Sequence, residues 1–335
     1  MLIRDNICGD FEHGGNGSGG FNNTDCIEIA SKTTAADLFV LASGNSIRNN
    51  NGDAIELHQT GTGTFTAVVE DNIITHNTEA AFAGAQDIPV AGATGPVNIT
   101  IRNNVMSNNG FSAIALPHFT GTGPLTAMIE GNTMVGNGYN ASMVSGFGQF
   151  SAGIFVDMRT NVSDITIRNN VITDSVGPGI GLWALAAFDH LPSGPPDTVA
   201  RVLIENNTIT GNAFGRTDDY IGGIFMRAAS FNVMGDDFIA RMDVTIRNNH
   251  ISGNNGNGVN GYTTRAPGAP DGILCVNIQG NTGNDDYLLD QSSGFTIGPV
   301  TFPGGGTFFL DPASGGNSGA INTVGVIGSA TCNTP

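Results

Sequence analysis

Apolar and polar residues alternate in short bursts along this chain, and nearly every burst runs into an asparagine. The phrase is Ile-Arg-Asp-Asn at residues 3–6, Ile-Arg-Asn-Asn at 101–104, 167–170 and 246–249, and Ile-Glu-Asn-Asn at 204–207. Aligning the copies places Asn6, Asn45, Asn72, Asn104, Asn132, Asn170, Asn207, Asn249 and Asn281 in one column, at intervals of 27 to 42 residues. The positions five and three before the asparagine are mostly apolar, as in Ile99/Ile101, Val202/Ile204 and Val276/Ile278. That period of two predicts a strand. The residue just before the asparagine is always Asp, Asn or Gly, the types that accept left-handed backbone, so a bend is expected there. An apolar residue follows two positions later (Ile47, Ile74, Met106, Met134, Ile172, Ile209, Ile251), and often a second asparagine at plus five (Asn50, Asn77, Asn109, Asn137, Asn212, Asn254). A third short strand then begins, as at residues 54–57, 113–116, 153–156, 179–182 and 223–226.

Three short strands per repeat, with bends between them and loops of changeable length, predict an all-β parallel β-helix of about nine coils. A single coil cannot bury its apolar face, whereas stacked coils can. Each column asparagine would then lie about 4.8 Å from the next, with its amide bonding the amide above and backbone groups at the bend. These nine residues are therefore read as a structural ladder. The position two before each runs Arg4, Ser43, Glu70, Arg102, Glu130, Arg168, Glu205, Arg247, Gln279. From Glu70 to Arg247 it alternates in sign, which suits cross-strand pairing better than a binding stripe for one charge.

Composition adjusts this picture. The net charge is −17 and Lys32 is the single lysine, so nucleic acid is not an expected partner. No apolar run reaches 18 residues, so no membrane insertion is expected. The repeat covers residues 1–294 as one solenoid, with 295–335, rich in Gly, Ser, Thr and Pro, read as a terminal flap tied to the last coil. Since residues 2–6 already belong to a repeat, the first coil is expected to be uncapped. That suggests either a start inside a longer protein or end-to-end assembly with like subunits. Cys8 and Cys26 lie near one end and Cys275 and Cys332 near the other. Pairing within each couple is suggested among three possible arrangements, and disulfides imply an oxidising compartment, hence an extracellular or cell-surface location. The cysteine spacings fit no zinc motif, and no resident metal or cofactor is expected, with calcium on the acidic surface left open.

With its columns in place, the chain resembles the right-handed parallel β-helix superfamily, the pectate-lyase-like group, in the repeat form of exported bacterial proteins. The Asn-x-Ile-x-x-Asn and Gly-Ile-x-Leu phrases carry the resemblance over nearly the whole chain, and they specify fold more than function. For a lyase of this group the resemblance implies an acidic cluster holding calcium beside a basic residue. Acid pairs occur at Asp218/Asp219, Asp236/Asp237 and Asp285/Asp286, and are read as solvated loop acids. For a galacturonan hydrolase it implies four motifs, of which only Asn23-Thr24-Asp25 has a counterpart.

One candidate glycan face remains. The residue after each third strand gives Asp157, Trp183 and Arg227 on consecutive coils, with Phe155 and Phe225 flanking Gly181. An aromatic ring to stack on a sugar, with opposed charges to bond hydroxyls or a uronate, would make a polysaccharide site. Asp157 and Arg227, two strand spacings or about 10 Å apart, do not make an inverting pair of acids. The alternative is that the insertions 184–200 and 228–241 fold over this face and bury it. His58 and His118 sit in two copies of one longer phrase and are read as structural, although two stacked imidazoles could bind a metal. Two functions are weighed: an exported non-catalytic surface, adhesion or matrix protein, and a carbohydrate-active protein (lyase, hydrolase or glycan-binding module).

Overall fold

In the computed structural model the described residues are 1–9, 25–31, 35–59, 61–85, 94–118, 123–140, 151–159, 162–185, 197–214, 216, 220–233, 236–265, 271–291, 295–297, 300–302, 304–325, 327–333 and 335. They wind into three parallel sheets. The first runs from Leu2–Arg4 to Ile327–Ser329, the second from Ile7–Gly9 to His250–Ser252, and the third from Ile27–Ser31 to Ile321–Val324. Each of the first eight coils gives one strand to each sheet. Val97–Arg102, Val105–Ser107 and Ile114–His118 pair in parallel with Leu125–Glu130, Thr133–Val135 and Ile154–Met158 of the next coil.

Alternation sets the faces. In the first sheet Val97, Ile99 and Ile101 point inward and are buried, and the second sheet contributes a column of Ile47, Ile74, Met106, Met134, Ile172, Ile209 and Ile251. These residues join the third-sheet interior in one hydrophobic core running along the solenoid. All nine residues before the column asparagines have positive φ: Asp5, Gly44, Asp71, Asn103, Gly131, Asn169, Asn206, Asn248 and Gly280, between 51° and 68°. The chain turns there because only these residue types hold that conformation at low cost.

The asparagines stack as the repeat predicts. Asn45 donates from Nδ2 to Asn72 Oδ1 at 2.8 Å, and the same contact recurs from Asn72 to Asn104, Asn104 to Asn132 and on to Asn249 and Asn281. A second ladder follows the plus-five positions, Asn77 to Asn109 to Asn137. It continues from Asn212 through Asn254 to Asp285. Outside the first sheet, Glu70 pairs with Arg102, Glu130 with Arg168, and Glu205 with Arg247.

The C-terminal segment differs from a flap. Thr307–Leu310 and Ile327–Ser329 extend the first sheet, Ile321–Val324 extends the third, and Asn317 accepts from Asn281 at 3.0 Å. Residues 307–329 thus wind on as part of a further coil, because their strands offer the ladder a new edge to pair with. Cys8 is bonded to Cys26 and Cys275 to Cys332. No helix among the described residues is long and apolar enough to cross a membrane.

Candidate functional site

The third sheet carries the chemistry-bearing side chains, in two clusters. In the middle coils, Phe155, Gly181 and Phe225 are in register, as are Asp157, Trp183 and Arg227. The strand pairing brings these residues together, and all five side chains are buried: Trp183 is 8% exposed, Arg227 and Asp157 1% each. The aromatics make a chain of edge contacts, Phe155 to Trp183 (5.4 Å between centroids), Trp183 to Tyr220 (6.0 Å) and Tyr220 to Phe225 (4.8 Å). Gly181 is required within it, since a Cβ there would collide with Tyr220 Oη.

Charges in this cluster face one another. Arg159 forks onto Asp157, Nε to Oδ1 at 3.1 Å and Nη2 to Oδ2 at 2.7 Å. The Arg227 guanidinium lies 5.5 Å from the Trp183 ring centroid, with Nε 3.4 Å from Thr264 Oγ1. Burial pushes Arg227 well below its ordinary pKa, opposed by the Asp157 charge and reinforced by Arg159. Arg216 covers Tyr220 at 5.1 Å and donates to Ser151 Oγ at 3.1 Å. Trp183 Nε1 is buried without a hydrogen-bond partner among the described residues. Of the two insertions expected to cover this face, residues 186–196 and 234–235 lie outside the described residues.

The second cluster occupies the first coils. Glu28 and Glu56 are in register on Ile27–Ser31 and Ile55–Gln59, and Asp25 and Asp53 precede these strands. Asp25 Oδ1 accepts from the Asp53 N–H at 2.8 Å and Asp53 Oδ1 from the Ala80 N–H at 2.6 Å. His58 Nε2 lies 3.1 Å from Glu56 Oε1. Burial, the hydrogen bond to Glu56 and its charge push Asp25 up to about 7. Burial raises Asp53 well above the usual carboxylate range, with Glu79 adding to it. Glu79 is pushed up to about 7 by burial and by Asp25 and Glu56. Burial works to raise Glu56 as well, but hydrogen bonds to His58 and Asp25 outweigh it and hold its pKa down.

Residues 25–190 match the family described as right handed beta helix region, in agreement with the three parallel sheets. The chain is a right-handed parallel β-helix repeat protein. No curated protein matches the sequence of this β-helix. Among solved structures it is similar to the A-module of a mannuronan C-5 epimerase from Azotobacter vinelandii, at 15% identity and a TM-score of 0.35. The match covers 87% of this β-helix and 64% of that chain, so this β-helix spans under two thirds of the epimerase module's length.

Sequence reasoning passed over the acidic cluster of this β-helix, although a signal was present. Asp25-Cys26-Ile27-Glu28-Ile29 and Asp53-Ala54-Ile55-Glu56-Leu57 are two copies of one phrase, 28 residues apart, and parallel stacking superimposes them. His58 and His118 are not on adjacent strands, because Phe82–Ala85 lies between the strands that carry them. Asp285 closes the second ladder by accepting from Asn254, and Asp286 Oδ1 accepts from the Ala320 N–H at 2.9 Å. Asp236 and Asp237 lie on a strand paired antiparallel with residues 231–233, while Asp218 and Asp219 lie outside the described residues.

Proposed function

We propose that this β-helix is an exported, non-catalytic scaffold of a cell surface or extracellular matrix, joining like subunits or polysaccharide by its outer faces. The observation that carries this reading is the Arg159–Asp157 pair. Its carboxylate, the acid of the expected glycan face, is 1% exposed and held in a two-point ion pair within the fold. Such a pair fixes local structure and keeps the acid inside the fold, bonded to Arg159. The two disulfides suit an oxidising compartment and hence export. The test combines size exclusion and negative-stain imaging with turnover assays on acidic and neutral polysaccharides. Association without turnover is expected; a compact monomer that cleaves a polysaccharide would overturn the reading.

A second reading, a carbohydrate-active module, is favoured by one observation: the buried Trp183 indole N–H has no acceptor among the described residues, as a site awaiting a hydroxyl would. Trp183 is the single tryptophan, so its fluorescence reports directly on that cluster. A glycan that shifts its emission, and whose binding is lost in Trp183→Ala, would establish this reading. Binding unchanged in that variant would remove it.

A further inference from the structure

We propose that the first coils hold a divalent transition ion of the zinc type, with Glu56 as the shared ligand between His58 and Glu28 on one side and Asp25 and Asp53 on the other. One potential ligand atom from each of Glu28, Glu56 and His58 lies within 4.8 Å of the others, and the same holds for Asp25, Asp53 and Glu56. Within each set, spacings of that size let the three donors converge on one ion, with metal–ligand distances of about 2.0–2.2 Å.

Asp53 separates this cluster from a solvated acidic patch. It is 6% exposed, and its one described hydrogen bond comes from the Ala80 N–H. No cationic side chain pairs with it among the described residues, and the charged groups that act on it are Glu79, Glu56 and Asp25, all acids. A buried acid is ordinarily neutralised, paired or bound to a metal, and besides the Ala80 N–H the groups that act on Asp53 are further acids. His58 decides the class of ion. It is 4% exposed with Nε2 turned onto Glu56, and an imidazole nitrogen suits zinc and its neighbours, whereas calcium takes oxygen ligands. Glu28 is exposed, which gives the ion an entry path. The backbone N–H bonds to Asp25 and Asp53 hold those carboxylates in place before any ion arrives. This inference does not depend on the proposed scaffold role.

The test uses the whole chain, stripped with chelator, in separate arms with Zn²⁺, Co²⁺ and Ca²⁺ at fixed ionic strength. Unfolding temperature, ion stoichiometry and the visible absorption of Co²⁺ are read. Expected are one Zn²⁺ per chain, a raised unfolding temperature, a Co²⁺ band that Zn²⁺ displaces, and binding weaker by about tenfold or more in His58→Gln and Glu56→Gln. Asp164→Asn, on another sheet, keeps the wild-type response. The wild-type Co²⁺ and Zn²⁺ arms need no variant, so a variant that fails to fold leaves the test intact. No Co²⁺ band and no Zn²⁺ stabilisation would overturn the proposal. So would stabilisation by Ca²⁺ alone, or Zn²⁺ binding unchanged in His58→Gln.

Discussion

Asn104 Oδ1 accepts two hydrogen bonds from Asn72, one from its backbone N–H and one from its side-chain Nδ2, both at 2.9 Å. Asn104 in turn donates from its own Nδ2 to Asn132 Oδ1 and to the Val69 carbonyl, each at 2.9 Å. The side chain thus ties together three coils in a place that water does not reach. Asn104→Ala leaves the Asn72 N–H and at least one carbonyl unsatisfied and buried, at about 1–3 kcal/mol per group. A loss of about 3 kcal/mol or more by urea denaturation is expected, against a smaller loss for Asn6→Ala at the exposed first coil. Equal losses at both positions would remove burial as the cause.

On the outer surface, Glu205 and Arg247 meet at 2.7 Å. The pair is solvent-facing, so its contribution is about 0.2–1 kcal/mol and shrinks with salt. Glu205 is in register with Arg168 on one neighbouring coil and Arg247 on the other. Glu205→Arg therefore lines up like charges on three successive coils and lowers stability. Adding Arg247→Glu to it is expected to restore part of the loss at low ionic strength. A double-mutant cycle with no coupling at low salt would reduce the alternation to mere packing.

Cys275 and Cys332 are 57 residues apart, and the bond holds the last described segment against the first sheet. By loop-closure entropy its removal costs about 4 kcal/mol. Cys332→Ser is expected to expose residues 307–329 to limited proteolysis while the central coils stay protected. Cleavage spread evenly over the chain would show instead that the bond stabilises the whole solenoid.

Burial, with Asp285 and Asp286 adding their charge, pushes the Tyr287 phenol up to about 12. An unfolded tyrosine ionises near pH 10. Between these values the native state keeps a proton that the unfolded chain releases, so this contribution is intact below about pH 10 and is lost as pH rises toward 12. The urea midpoint should therefore fall between about pH 9 and pH 11 in the wild type and fall less in Tyr287→Phe. Equal slopes would place the alkaline sensitivity elsewhere.

The winding was legible because its signals are local and repeated. Asp71 and Asn103 announce their left-handed backbone by residue type, and Ile74 and Met106 announce their inward column by position. Asn317 escaped notice because Pro312 and Ser314 stand where the strand phrase needs apolar residues, although its amide still completes the column. The surroundings of Trp183 could not be read from spacing. Its burial depends on Tyr220, whose ring comes from a segment outside the repeat phrases. The acidic cluster was hidden for the opposite reason: Asp25 and Asp53 were each explicable alone, and only superposition of their coils makes them neighbours.

The alternating Glu70, Arg102, Glu130, Arg168, Glu205 and Arg247 give the shaft a parity. Excising the one turn that bears Arg102 would set Glu70 beside Glu130, whereas excising two successive turns would return every acid to a base. Growth or shortening of such a rod is therefore favoured in even steps.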